Sequence, residues 1–303
     1  MYHDFTYGAV LASSQRAAWT IEDVLPAGAA LDFTRPFLPG LFARTAWAPF
    51  LSDAERLTLN HIRGHDYLCL FGLVEEFILP FVLDHARPQL NGDDLRVRAL
   101  LQFAGEEAKH IHLFKRFHAL FRAGFGQDCG MIGPAEAIAA EILAHDPLAV
   151  ALAILQIEWM TQAHYVESVR DDGAIDPLFK SLLKHHWMEE AQHARLDTLM
   201  VEALAEGRDA AGIMAAFEGY LAIGAYLDGG LRQQAAFNLD ALEQRIGRTL
   251  PADERATLLD QQHQAARFTF LGSGMIHPRF RATVGGLSQA ALDRLEAITP
   301  AFF

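Results

Sequence analysis

Two glutamate–histidine pairs, Glu107 with His110 and Glu190 with His193, are the residues of this sequence best suited to chemistry. Residues three apart on a helix share a face, so each pair can offer a carboxylate oxygen and an imidazole nitrogen to one point in space. With 14 histidines in 303 residues, chance alone supplies about one such pair. Placement therefore carries more weight than number. Each pair sits inside a helical stretch, and each is preceded by a further glutamate, Glu106 in GEEAKH and Glu189 in MEEAQH. The second stretch, HHWMEEAQH, adds His186, four residues before Glu190 and seven before His193, on the same face.

The elements that must position these residues are helical. A long helix opens at Ser52, an N-cap with Glu55 three residues on, and runs through DYLCLFGLVEEFILPFVLDHA, with Pro80 as a potential kink. A second carries Glu107 and His110 and stops at Gly124 and Gly126. A short helix near Pro134 precedes a third long one, PLAVALAILQIEWMTQAHYVESVRDD. The fourth starts at Asp176-Pro177, an N-cap followed by a proline at the first helical position, and continues to about Gly207. Further helices are expected near 209–247, 251–270 and 287–298, and the first fifty residues read as an irregular arm or short helices wrapped on the body. No strand alternation is present, so the expected class is all-α, in one unit spanning 1–303 with a bundle core at about 52–206 and added helices at about 207–303.

The first and third long helices each bury an acid. Glu75 and Glu76 interrupt LFGLVEEFILPF, and Glu158 follows eleven uncharged residues in PLAVALAILQIE. A carboxylate in such surroundings is costly unless it is paired or metal-bound. A glutamate from each of two helices and a Glu-x-x-His from each of two others is the donor set of a carboxylate-bridged pair of metal ions in a bundle core.

The pattern resembles the ferritin-like di-iron carboxylate proteins, and the third histidine of HWMEEAQH is similar to the extra ligand of the AurF-like arylamine N-oxygenases. That resemblance covers about 52–206. It implies a ligand set of Glu75, Glu107, His110, Glu158, His186, Glu190 and His193 around two iron ions, with manganese able to take one position. In it, Glu75 and Glu158 are bridging or terminal ligands, and the two Glu-x-x-His pairs each anchor an ion. Helical phase does not separate Glu75 from Glu76; the resemblance favours the first of the pair. It also implies an oxygenase that uses O2 and an external electron donor to oxidise a small molecule, an aromatic amine by preference. Other di-iron oxidases (desaturase, hydroxylase, radical-storing subunit) and a ferroxidase without organic substrate remain as alternatives, and a homodimer is left open.

A metal-bound histidine normally donates its other ring N–H to a carboxylate or carbonyl. Glu106 and Glu189, rotated about 100° from their ligand neighbours, are expected to do this reciprocally, Glu106 for His193 and Glu189 for His110. His185 reads as a surface or supporting residue, His112 and His164 as ordinary partly buried histidines, Tyr165 as a core tyrosine and Cys69 as packing. The stretch LGSGMIHP fails as a dinucleotide loop at its third glycine, and no phosphate loop, nucleophile elbow or His-Glu-x-x-His occurs.

The net charge of −13 argues against nucleic acid and anionic membrane as partners. Two widely spaced cysteines fit a reducing compartment, the cytoplasm by default. No charge-free run approaches the roughly 20 residues of a spanning helix, and the start MYHDFTYGAV lacks the basic segment of a leader.

Overall fold

The computed structural model describes residues 3–303; Met1 and Tyr2, the first two residues of the start considered above, lie outside them. Thirteen α-helices follow one another among the described residues. The arm contributes α1 (Tyr7–Ala17), α2 (Ile21–Val24) and α3 (Gly40–Ala43). The bundle is α4 (Asp53–Ala86), α5 (Asp94–Phe125), α7 (Pro147–His164) and α8 (Pro177–Ala205), with the short α6 (Ala135–Leu143) between the pairs. The remainder is α9 (Ala210–Ile246), α10 (Ala252–Arg267), α11 (Ser273–Met275), α12 (Pro278–Leu287) and α13 (Gln289–Ile298).

Local chemistry sets the ends of the bundle helices. Ser52 and Glu55 form a reciprocal capping box at the start of α4, satisfying two backbone N–H groups that have no partner within the helix. Asp176 caps α8 through Phe179 N at 2.7 Å while Pro177 supplies the first helical φ angle. The same Asp176 also accepts from the backbone N of Asp32 at 3.0 Å, so this cap pins the arm to the bundle. Gly126, at φ 73°, ends α5 in the left-handed conformation that costs glycine nothing.

Packing then follows polarity. Helix α7 is apolar on every side and nearly all of it is buried, as expected of a helix enclosed by others. It lies between α8 and α9, while α4 pairs with α5 and also touches α9. A single apolar core runs from Val10 to Leu295 and joins arm, bundle and carboxy-terminal helices.

Three features depart from the sequence reading. α7 ends in a π-helical turn at Tyr165–Val169, and α10 continues into another at Phe268–Gly272. α12 was not expected at all. Its segment PRFRATVGGL has two glycines and few apolar residues, but His277 caps it, Pro278 opens it, and it buries Phe280, Thr283 and Val284. Finally, α9 contains an 18-residue window of mean hydropathy 1.4, long and apolar enough to cross a membrane by length and composition. Glu218 lies inside it, and in the structure α9 packs on α7, α4 and α10.

Candidate metal centre

Seven acids and imidazoles from all four bundle helices converge in the core, each with 2% or less of its surface exposed: Glu75, Glu107, His110, Glu158, His186, Glu190 and His193. The donor atoms of all but Glu158 fall into two overlapping groups. Glu75, His110, His186 and Glu190 make one, and Glu107, His110, Glu190 and His193 the other, each with its donor atoms within 4.8 Å of one another.

Glu190 joins the groups. Its Oε1 lies 2.6 Å from His186 Nε2 and 3.2 Å from His110 Nδ1, and its Oε2 lies 3.1 Å from His193 Nδ1. Glu75 Oε1 is 3.1 Å from His186 Nε2, while Glu107 Oε1 is 2.8 Å from His193 Nδ1. His110 and Glu190 thus belong to both groups, Glu75 and Glu107 to one each, and Glu158 stands against Glu190 at the margin. Of the bridging and terminal places the resemblance leaves open to Glu75 and Glu158, their positions at the edge of the cluster fit the terminal ones. The Glu75/Glu76 ambiguity is also removed: Glu76 turns outward to Lys115 Nζ at 3.1 Å.

The imidazoles are held from behind. Glu189 Oε2 accepts from His110 Nε2 at 2.8 Å, and Glu106 Oε2 accepts from His193 Nε2 at 2.9 Å. Both rings therefore present Nδ1 inward. Each glutamate is itself anchored, Glu189 by Lys109 Nζ and Glu106 by Ser14 Oγ and Gln102 Nε2. Lys109 sits over the Trp19 ring, which stacks on His110.

Whether this pocket suits cations is tested by its unsatisfied atoms. Both oxygens of Glu107, Oε2 of Glu75, Oε2 of Glu158 and Nδ1 of His110 are buried without a hydrogen-bond partner. Buried polar atoms of native proteins are rarely left so. The 2.8 Å approach of His193 Nδ1 to Glu107 Oε1 is misaligned for a hydrogen bond, as it should be when two lone pairs aim at a shared third point. Carboxylate and imidazole donors at this density match two transition-metal ions, iron or manganese.

Electrostatics agree with an excess of buried negative charge. Burial, reinforced by Glu107, lifts the Glu75 carboxyl to about 8. Burial and the neighbouring Glu190 push Glu158 well up. Burial opposes charge on His110 as well, but the Glu189 and Glu190 carboxylates beside it raise it to about 10. Without metal, protons occupy the place of cations.

Several participants were missed in the sequence. Asp197, four residues after His193, is 1% exposed, both its oxygens lack partners, and burial lifts its carboxyl well above the usual range beside His193, Glu107 and Glu190. Its spacing of seven from Glu190 was a usable signal. Ser14, Trp19 and Lys109 had none, because only the tertiary fold brings the arm here. Two of the other histidines differ from expectation. His112 is exposed, whereas His164 is wholly buried, bonded to Tyr67 Oη at 2.9 Å and Ser273 Oγ at 2.9 Å. His185 is half-buried and bonds its own helix at Ser181 O, and Tyr165 stacks on Trp187, away from the cluster.

An apolar cleft of about 340 Å³ opens beside the centre. Phe71, Val74, Ile157 and Phe270 line it, and Phe71 packs edge-on against the His186 ring at 5.2 Å.

No curated protein matches the chain. Among solved structures, R2-like ligand-binding oxidase with an aerobically reconstituted Mn/Fe cofactor is similar at 13% identity, covering 89% of this chain and 98% of that one with a TM-score of 0.44. A point variant of the same oxidase, anaerobically reconstituted with Mn/Fe, aligns at 12% identity over 89% and 92% of the two chains, with a TM-score of 0.48. The family model described as P-aminobenzoate N-oxygenase AurF matches residues 15–225, a span that takes in the arm from Gln15, the four bundle helices and every member of the glutamate–histidine cluster. On that match the chain, an oxidoreductase with a ferritin-like helical bundle, belongs to the AurF p-aminobenzoate N-oxygenase family.

Proposed function

We propose that Glu75, Glu107, His110, Glu158, His186, Glu190 and His193 hold two iron ions, or one iron and one manganese, and that the enzyme oxidises a small neutral aromatic amine at nitrogen. The observation that carries the metal assignment is the set of partnerless carboxylate oxygens gathered with His110 Nδ1 in the buried core. Bound there, redox-active ions supply the activation of dioxygen.

The chain's own residues do the rest. Glu106 and Glu189 fix the tautomers of His193 and His110 by accepting hydrogen bonds from their Nε2–H groups, so both Nδ1 lone pairs stay directed inward. Glu190, whose two oxygens face His186 and His193, would contribute to holding both ions. Phe71, Val74 and Ile157 exclude water from the substrate side. For the first oxidation an arylamine, O2, two electrons and two protons give an arylhydroxylamine and water; the electrons come from an external reductant.

The family relationship supports the amine. The cleft limits which amine: none of its lining residues is charged, so nothing there pairs with a substrate carboxylate. The same lining favours one second reading, hydroxylation or desaturation of a wholly apolar substrate. The test incubates the iron-loaded, reduced protein in air with aniline-type amines, with p-aminobenzoate and with alkyl or acyl compounds. Hydroxylamine or nitro products from the neutral amines are expected; products from the alkyl panel alone would select the second reading, and iron oxidation without organic product would favour a ferroxidase.

A further inference from the structure

Cys69 is more than packing. On α4, His65 and Cys69 stand four residues apart on one face, and across the helix pair α5 brings His118 against them. His65 Nε2 and His118 Nδ1 share a hydrogen bond at 2.7 Å, while Cys69 Sγ lies 3.4 Å from the first nitrogen and 3.8 Å from the second. Three donor atoms of ligand type thus meet at one point. It is a separate point from the glutamate–histidine centre: Cys69 precedes Glu75 by six residues, about 9 Å along the helix axis, and the Phe114 ring that flanks His186 lies on the way.

We propose that His65, Cys69 and His118 form a second metal site, with Zn2+ as its ion. Zn–N bonds of about 2.0–2.1 Å and a Zn–S bond of about 2.3 Å in a tetrahedron set N···S near 3.6 Å and N···N near 3.3 Å. The two N···S distances already straddle that value, and the rings need part by only about 0.6 Å, the ion replacing the hydrogen bond between them. His65 is held for this by stacking on Phe121 at 4.4 Å, with its other nitrogen, Nδ1, buried and without a partner. Cys69 and His118 are only half-buried and border a cleft of about 290 Å³, which gives the ion a way in and leaves its fourth position to water.

Donor chemistry separates the two sites. Carboxylates and imidazoles at the dimetal centre suit iron and manganese, whereas a thiolate with two imidazoles suits zinc. Binding makes one Zn–S and two Zn–N bonds and breaks one S–H bond, so a single proton leaves to solvent. The thiol is otherwise kept protonated, because burial and the nearby Asp66 push it up to about 12. His65 need lose no net proton, since burial and the neighbouring His118 hold it neutral down to about 3.

The test uses protein already loaded at the dimetal centre. One added equivalent of Co2+ is expected to give a thiolate-to-metal absorption in the near ultraviolet, which no ligand of the dimetal centre can produce, and one equivalent of Zn2+ should abolish it. Cys69→Ser should remove the band and His118→Ala should weaken binding at least about tenfold, both keeping two ions at the other centre, while Cys129→Ser should leave it intact. Absence of the band in the unmodified protein, or its survival in Cys69→Ser, would overturn the proposal.

Discussion

Glu189 and His110 lie on different bundle helices, yet the carboxylate meets the imidazole Nε2 at 2.8 Å with both residues fully buried. Glu106 and His193 repeat the arrangement in the opposite sense. The two helices therefore exchange carboxylates, each orienting the histidine of the other.

Loss of that exchange should show as weaker metal binding. Glu189→Gln and Glu106→Gln keep the shape but remove the charge that stabilises the N–H, and each is expected to lower metal affinity about 10- to 100-fold. Competition against a chromophoric chelator measures it; unchanged affinity in both would mean that the pairs only pack.

His186 and His185 are adjacent in sequence and opposite in consequence. His186 faces Glu75 and Glu190, while His185 Nδ1 bonds Ser181 O on its own helix. His186→Ala should cost metal affinity or one equivalent of bound iron by elemental analysis, and His185→Ala should do neither. Equal, small effects would remove His186 from the ligand set.

Metal removal should make stability fall as pH rises. Glu75 binds its proton up to about 8 in the fold against an ordinary 4.5, so every step of pH between those values favours the unfolded chain. His110, moved from 6.5 to about 10, contributes stability that is complete below 6.5 and is lost as pH climbs towards 10. The signs agree. Thermal melts of chelator-treated protein from pH 6 to 9 should show a declining Tm, and the stabilisation on adding iron should grow over that range because ligands must shed their protons to bind. A Tm of the chelated protein that rises with pH would contradict both assignments.

The LGSG stretch has a packing role. A Cβ on Gly274 would stand 2.7 Å from Gln156 O and 2.6 Å from its Cγ, so α11 lies against α7 two residues from Glu158 only because no side chain intervenes. Gly274→Ala should cost about 1–3 kcal/mol by urea unfolding. A cost near zero would show that the contact yields freely.

Much of this was legible from residues alone. Ser52 with Glu55, Asp176-Pro177 and Gly126 marked helix ends because capping is local chemistry. The glutamate–histidine cluster was legible because two Glu-x-x-His pairs and an isolated Glu158 are costly without a shared purpose. What escaped was decided across distance. Glu75 differs from Glu76 only by which neighbour it meets, His186 or Lys115. α12 owes its existence to the cap at His277 and to the burial of Phe280 rather than to its own propensity. His164 found Tyr67 and Ser273 from helices 97 and 109 residues away.

The bond from Ser14 to Glu106 has a consequence for the arm. α1 contributes a hydroxyl to the same carboxylate that accepts the His193 N–H, so the arm's docking and the orientation of a candidate ligand draw on one hydrogen-bonded chain. By linkage, whatever metal binding gains from a docked α1, docking gains from metal. A chain without iron would hold α1 and the turn to Trp19 loosely, and acquisition of the ions would latch them, so that cleavage by a protease near Trp19 would report how far the centre has been assembled.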